Sequence, residues 1–96
     1  MLVVVSYDVS TKDAAGARRL RHVAQACVAR GQRVQNSVFE CLVDNAQWTR
    51  LKLRLLQLFD PATDSLRFYY LGSNFKGRVE HHGAKATVDL TGPLVV

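Results

Sequence analysis

The chain has 96 residues, of which 48% are hydrophobic and 22% are charged. This length leaves room for a single domain, and the composition is that of a globular protein, which excludes a multidomain enzyme and a disordered tail. Thirteen Lys and Arg against eight Asp and Glu give a net charge of +5, and nine of these cations are Arg. Because Arg suits bidentate phosphate contact, the charge favours a polyanionic partner, although surface charge for solubility alone would give the same composition.

The cellular compartment follows from two further features of the sequence. No apolar run is long enough for a membrane span, and the start MLVVVSYDV lacks the basic lead and cleavage site of a secretory signal. We therefore expect a cytoplasmic protein without a membrane partner. Cys27 and Cys41 each lie within an apolar pattern, which predicts buried thiols in a reducing compartment and no disulfide.

The first quarter of the chain predicts a strand followed by an amphipathic helix. The β-branched apolar run of Leu2 to Tyr7 predicts a strand that ends near Asp8. From Asp13 onward, apolar residues recur at helical spacing until Gly31 provides a stop. The opposite side of this helix is basic and polar, with Arg18, Arg19, His22 and Gln25.

A hairpin and a second helix follow. The stretch from Gln32 to Val43 contains two strand-like pieces on either side of Asn36 and Ser37, which predicts a tight turn between them. Asp44 or Asn45 can cap the second helix, which buries a stripe of apolar residues and ends at the breaker Asp60–Pro61.

The stretch from Ser65 to Leu71 is aromatic and β-prone and predicts a fourth strand. The order is then βαββαβ, which predicts an α+β, ferredoxin-like core over residues 1–72 with an antiparallel sheet and both helices on one face. Residues 73–96 are interpreted as a strand-forming tail, with extended candidates at Arg78 to His82 and Ala86 to Leu90.

Both faces of the predicted sheet carry large apolar side chains. In strand one, Val3 and Val5 lie on one face and Leu2 and Val4 on the other, and strand four repeats this pattern. Two helices cover only one face, so a second surface is needed for the other. We expect a homodimer, with the tail packing on the partner or extending its sheet; in the alternative, the tail folds back over its own sheet in a monomer.

Asp8 is the carboxylate that lies at the end of a strand, next to a helix N-terminus that favours an anion such as phosphate. Magnesium often uses only one or two protein carboxylates, so two copies of Asp8 facing each other across a two-fold axis would make a Mg²⁺ site. In the alternative, Asp8 only caps the turn before the helix. The same choice between phosphate contact and helix capping applies to Ser10 and Thr11.

The candidate nucleic-acid contacts are cations that a dimer would duplicate on one compact body. A duplicated basic surface of this kind follows a duplex backbone without reading its bases. The candidates are Lys12, Arg18, Arg19, Arg21, Arg33, Lys76 and Arg78. Arg50 and Arg54 of the second helix are interpreted as solvating that helix.

These motifs together resemble the CRISPR-associated small endonuclease family, Cas two. The resemblance rests on VSYDVS at the end of strand one, on the Arg-rich segment ARRLRHVA, on GQRVQNSVFECLV, and on SLRFYYL followed by glycine. It implies that Asp8 is the metal-binding aspartate and that Arg18 and Arg19 are the arginines of the first helix. It further implies that Gln35, Ser37, Phe39 and Glu40 form the hairpin signature.

The resemblance implies a ferredoxin-like homodimer whose paired aspartates bind Mg²⁺ and, in some members, cleave RNA or double-stranded DNA. Other members bridge the spacer integrase during CRISPR spacer acquisition in antiviral defence. Two hypotheses follow, a magnesium-dependent endonuclease with Asp8 as its catalytic residue and a non-catalytic subunit that bridges the integrase. A third is a ferredoxin-like nucleic-acid-binding or regulatory domain outside CRISPR systems.

Overall fold

The structure is a computed structural model, and it describes residues 1–72 and 78–84. The elements in chain order are β1 (Leu2–Asp8), α1 (Ala14–Val28), β2 (Gly31–Gln35), β3 (Val38–Leu42), α2 (Asn45–Leu58), β4 (Ser65–Leu71) and β5 (Arg78–Gly83). The predicted order and the predicted boundaries are confirmed to within a few residues. Neither of the described helices is long and apolar enough to cross a membrane.

The five strands form one antiparallel sheet in the order β2-β3-β1-β4-β5. Strand β1 lies in the centre, where Val5 pairs with Phe39 of β3 on one side and with Phe68 of β4 on the other. Strand β3 therefore separates β1 from β2, the strands that α1 connects, which is the split βαβ arrangement of the ferredoxin-like fold. The predicted fold class is confirmed.

The core lies between the sheet and the two helices. Since side chains alternate along a strand, Val3, Val5 and Tyr7 of β1 all point to the helix side and are almost fully buried. The other large members of this core are Phe39, Cys41, Leu66, Phe68 and Tyr70 of the sheet and Leu20, Val23, Cys27, Trp48, Leu51 and Leu55 of the helices. The predicted burial of the two thiols is confirmed, and both cysteines are free.

The opposite face of the sheet also carries apolar side chains. Leu2 pairs with Leu42 of β3 and with Leu71 of β4, and these partners are 73% and 46% exposed. Tyr69 pairs with Val4 in the middle of this face. The apolar character that the sequence predicts for both faces is confirmed, and the helices cover one of them.

Each helix begins at an aspartate that caps it. The side chain of Asp13 accepts a hydrogen bond from Gly16 N at 2.7 Å, so Asp13 is the N-cap of α1. The alternative that Ser10 or Thr11 caps this helix is therefore wrong, whereas the alternative that Asp8 caps the turn before the helix stays a prediction. For α2, the N-cap is Asp44, the first of the two candidates that the sequence offers, and it also forms a capping box with Gln47.

Strand β5 pairs with β4 of the same chain, with His81 opposite Arg67 and Val79 opposite Tyr69. The first part of the predicted tail thus extends its own sheet at the edge beyond β4. The other extended candidate, Ala86 to Leu90, lies outside the described residues. Packing of the remaining tail on a partner stays a prediction.

Candidate metal and nucleic-acid site

Asp8 is the last residue of β1, and its side chain is exposed on the sheet face opposite the helices. In the antiparallel register it lies directly opposite Ser65, the first residue of β4. The connection to α1 begins immediately after it, so the start of that helix lies at the same end of the sheet. This placement leaves the carboxylate accessible to solvent and to a ligand.

A buried carboxylate lies on the helix side of the same strand ends. Asp64, directly before β4, is 1% exposed and accepts a hydrogen bond from the hydroxyl of Tyr7. Arg19 of α1 donates to the same carboxylate through Nε at 2.8 Å and through Nη2 at 3.2 Å. Since this pair is bidentate and its carboxylate is buried, it is stronger than a fully exposed ion pair, although Arg19 keeps 24% of its side chain exposed.

The loop between α2 and β4 completes the shell of donors. The backbone N of Asp60 and the hydroxyl of Thr63 each donate to the Asp64 carboxylate at 3.0 Å. Burial alone would raise the pKa of Asp64, but the hydrogen bonds from Arg19 and Tyr7 outweigh it and hold this pKa below its usual range. Burial and the adjacent Asp64 carboxylate raise the pKa of Tyr7. The cluster is therefore an ionised carboxylate with a neutral phenol and a charged guanidinium.

The sequence analysis did not identify Asp64 as a site residue, because it lies in the polar stretch between the breaker Asp60–Pro61 and the strand that begins at Ser65. A single aspartate between a Pro-containing loop and a strand shows no period that would mark it as buried. The predicted outward position of Arg19 is wrong for a related reason, since its guanidinium turns inward to a partner 45 residues away in sequence. Contact of Arg19 with nucleic acid stays a prediction.

Three of the predicted nucleic-acid contacts lie near the start of α1. Lys12, Arg18 and Arg21 are exposed; Arg18 lies in the second turn of the helix and Arg21 at its middle. Arg21 also lines a groove of about 500 Å³ between α1 and β2, which it shares with Arg33. The structure therefore places Arg21 and Arg33 on one continuous surface.

The remaining candidates are more dispersed. Arg33 belongs to β2, and its Nε donates to the carbonyl of Asn36 at 2.7 Å while its guanidinium lies 5.5 Å from the ring centre of Phe39. Arg78 begins β5 at the opposite edge of the sheet, over the ring of Tyr70. Lys76 lies outside the described residues. A single chain thus separates the basic groups into two regions.

The residues of the hairpin signature have structural roles in the sheet and the core. Gln35 and Val38 pair around the turn, and the carbonyl of Ser37 accepts a hydrogen bond from Tyr7 N at 2.9 Å. Phe39 is fully buried in the core, and Glu40 accepts a bond from Gln32. The hairpin therefore holds the end of β1 from the side opposite β4.

The donor set suits a hard cation that keeps much of its water. Within residues 1–72 and 78–84, no group of three or more His, Cys, Asp and Glu side chains could hold a metal ion. Asp8 offers one exposed carboxylate at the strand end, which fits Mg²⁺, since this ion accepts one or two carboxylates and several waters. One chain therefore supplies part of such a site.

The chain is similar to known proteins over nearly all of its length. The family model described as CRISPR associated protein Cas2 matches residues 1–79. The chain is 60% identical over 96 residues, covering all of both chains, to the CRISPR-associated endoribonuclease Cas2 of Chlorobaculum tepidum. It is 58% identical over 95 residues, covering 99% of each chain, to the CRISPR-associated endonuclease Cas2 of Halalkalibacterium halodurans.

Among solved structures, the crystal structure of Streptococcus pyogenes Cas2 at pH 6.5 matches with a TM-score of 0.74 and 59% identity. The match covers 83% of this chain and 96% of that chain. The family model spans both the exposed aspartate at the end of β1 and the buried carboxylate cluster behind it. The chain therefore belongs to the CRISPR-associated protein Cas2 family.

Proposed function

We propose that the protein acts in CRISPR spacer acquisition as a homodimeric, nucleic-acid-binding subunit that bridges the integrase, and that paired Asp8 residues make it a magnesium-dependent endonuclease. The observation that supports this most directly is the exposed Asp8 carboxylate at a strand end, in a chain of this family. Membership in the family gives no support to the alternative of a domain outside CRISPR systems.

The catalytic part of the proposal rests on the chemistry of Asp8. A bound Mg²⁺ ion would activate water and neutralise charge on the scissile phosphate. Asp8 would hold this ion with an oxygen ligand, and the exposed position of the side chain leaves room for the remaining waters and the phosphate. The names of two similar proteins, an endoribonuclease and an endonuclease, are consistent with phosphodiester cleavage.

The dimeric part of the proposal is supported by the sheet face opposite the helices. Leu42 and Leu71 leave 73% and 46% of their surface exposed on this face, on either side of Leu2, and Tyr69 lies next to Leu71 on the same face of β4. Burial of apolar surface stabilises by about 25 cal/mol per Å², so covering this face with a second copy is favourable. Asp8 lies on the same face at the other end of β1, so a two-fold axis that runs along β1 would bring the two Asp8 residues of the dimer towards each other.

The nucleic-acid part of the proposal rests on exposed cations at the start of α1. Lys12 and Arg18 are solvent-exposed near the sheet end where β1 terminates in Asp8, and the exposed Arg21 lies about one turn further along α1. Backbone phosphates held there would lie near the proposed ion, and a second copy would double the basic surface. This arrangement suits RNA or a DNA duplex backbone without sequence preference.

A non-catalytic bridging role is the second candidate, because one chain supplies only Asp8 to the proposed metal site. In that role, the duplicated cations support the DNA that the integrase inserts, and the carboxylate is dispensable. The two candidates differ in one respect, which is whether the Asp8 carboxylate is needed.

The test compares wild type with Asp8→Asn in cleavage of RNA and duplex DNA with and without Mg²⁺. A bound metal ion stabilises the transition state by several kcal/mol, so we expect the cleavage rate of Asp8→Asn to be about 100-fold lower or more. Asp44→Asn is the matched control, since asparagine also caps a helix and Asp44 is remote from the strand end. Equal cleavage by wild type and Asp8→Asn would remove Asp8 from the mechanism.

Spacer acquisition in cells that carry the integrase tests the bridging role. If bridging is independent of cleavage, Asp8→Asn supports acquisition at the wild-type level, while combined loss of Arg18 and Arg21 abolishes it. Loss of acquisition in Asp8→Asn, with dimer and DNA binding intact, contradicts a purely non-catalytic bridge.

A further inference from the structure

We propose that Asp64 is a positioning residue for Asp8, acting through Tyr7 and Arg19 to fix the strand ends that present the metal-binding carboxylate. The inference rests on the proposed function of Asp8 and assigns a role in it to a side chain that never reaches the ligand. The structure supports it through register, hydrogen bonds and burial.

The register places the buried cluster directly behind Asp8. Asp8 and Ser65 are paired, and the residues immediately before them in the chain are Tyr7 and Asp64. The hydroxyl of Tyr7 donates to the Asp64 carboxylate, so a side-chain bond joins the two strands one residue from the pair. Since successive side chains alternate across a sheet, fixing Tyr7 inside fixes the direction of Asp8 outside.

The same carboxylate connects these strand ends to their surroundings. Its bonds from Arg19 attach α1, and those from Asp60 N and Thr63 Oγ1 attach the loop before β4. The carbonyl of Asp64 also accepts a bond from Ala84 N at 2.9 Å, just beyond β5. One residue thus joins three elements and a loop.

The bond from Arg19 adds a consequence for the nucleic-acid contacts. Arg18 is the neighbour of Arg19 in α1, and it is exposed while Arg19 is directed inward. The Arg19–Asp64 pair would therefore help to set the separation between Arg18, a proposed phosphate contact, and the Asp8 carboxylate. A shift of about 1 Å in such a separation can lower the rate of a reaction that depends on positioned groups.

The carboxylate charge is essential to this role. Asp64→Asn keeps the size of the side chain but offers one acceptor oxygen in place of two, and its NH₂ group would face donors. Arg19 would also lose its buried counterion. Substitution of groups that support a metal ligand from behind typically weakens metal affinity about 10- to 100-fold.

The experiment is calorimetric titration of Mn²⁺, as a probe for Mg²⁺, into metal-free full-length protein without nucleic acid. Wild type, Asp8→Asn, Asp64→Asn and Tyr7→Phe are compared at a temperature where circular dichroism shows each variant folded. We expect Asp64→Asn to raise the Kd for Mn²⁺ at least about tenfold. Tyr7→Phe, which removes a single hydroxyl, should raise the Kd less and carries the test if Asp64→Asn does not fold.

Glu80→Gln is the matched control for a purely structural effect. Glu80 is also a partly buried carboxylate that accepts a tyrosine hydroxyl, from Tyr70 at 2.8 Å, and forms an ion pair with Lys52. It belongs to β5 and has no bond to Tyr7 or Arg19 among those of the described residues. We expect it to lower stability and to leave the Kd for Mn²⁺ unchanged.

The outcomes separate this inference from the proposed function. Mn²⁺ binding that Asp8→Asn abolishes and Asp64→Asn weakens supports both. Binding that depends on Asp8, with wild-type Kd in folded Asp64→Asn and Tyr7→Phe, overturns the inference alone. Wild-type protein that binds no Mn²⁺, or binds it regardless of Asp8, overturns the proposed metal site and the inference with it.

Discussion

The guanidinium of Arg19 forms a bidentate pair with the carboxylate of Asp64, in which Nε lies 2.8 Å from Oδ2 and Nη2 lies 3.2 Å from Oδ1. This pair connects the second turn of α1 to the start of β4 across the end of β1. It gives an Arg of the basic helix a partner inside the protein, whereas Arg18 and Arg21 remain exposed. The helix therefore has an anchoring cation and exposed cations within a single turn.

We predict that Arg18 contributes to binding of duplex DNA and that Arg54 does not. The logarithm of the DNA-binding constant falls with the logarithm of the salt concentration, and each phosphate contact makes this negative slope steeper by about 0.9. Arg18→Ala should therefore make the slope shallower by about that amount. Arg54→Ala removes the same charge from exposed α2 and is the control. The measurement is fluorescence anisotropy over a salt series, and equal slopes for all three proteins contradict the prediction.

We predict that Leu55→Ala destabilises the protein by about 2–5 kcal/mol, because Leu55 of α2 is fully buried and its loss leaves a cavity. Leu53, two residues earlier in the same helix, is 59% exposed, and Leu53→Ala should change stability by less than about 0.5 kcal/mol. Urea unfolding of both variants measures the difference. Similar urea midpoints for Leu55→Ala and Leu53→Ala would show that the face of α2 with Leu55 does not pack against the sheet.

We predict that Gly16→Ala destabilises the protein, although alanine inside a helix is ordinarily more stable than glycine by about 0.5–1 kcal/mol. A Cβ at Gly16 would overlap the carbonyl oxygen of Ser10, and crowding of this kind costs about 1–3 kcal/mol. At the neighbouring exposed position, Ala15→Gly should show the ordinary preference of helices for alanine. A higher thermal midpoint for Gly16→Ala than for wild type contradicts the packing around Ser10.

We predict that Glu80 contributes an acid-sensitive part of the stability. Burial opposes ionisation of Glu80, but hydrogen bonds from Lys52, His82 and Tyr70 outweigh it and lower its pKa from 4.5 to about 2. A carboxyl whose pKa is lower in the folded state stabilises above the unfolded pKa, and this contribution is lost as pH falls through the folded pKa. The contribution is thus present above about pH 4.5 and disappears towards pH 2.

Urea unfolding of wild type and Glu80→Gln at several pH values checks this prediction. The variant should be less stable at pH 5, and the difference should shrink steadily as the pH falls towards 2. A difference that stays constant over this range would show that Glu80 is not stabilised as an anion.

The fold could be predicted because its elements are specified locally. The apolar run of β1, the capping residue Asp44 and the aromatic strand from Ser65 to Leu71 each mark an element within a few residues of sequence. Alternation along β1 also predicted two apolar faces, and the pairing of Leu2 with Leu42 and Leu71 confirms both.

The candidate site was predictable only in its exposed part. Asp8 stands out because it ends an apolar strand. The role of Asp64 depends on its contacts with Arg19 and Tyr7, which precede it in the chain by 45 and 57 positions. Likewise, helical spacing indicates which side of α1 is polar but cannot show that Arg19 turns inward to an acidic partner. The helix cap at Asp13 was missed in favour of earlier residues because several polar side chains precede α1 in succession.

The stoichiometry of Mn²⁺ binding tests the central claim most directly, since it depends on both Asp8 and the pairing of two chains. Calorimetric titration of metal-free wild-type protein should give one ion per two chains, and Asp8→Asn should abolish this binding. One ion per chain, or binding that survives Asp8→Asn, would contradict a metal site shared between two copies of Asp8.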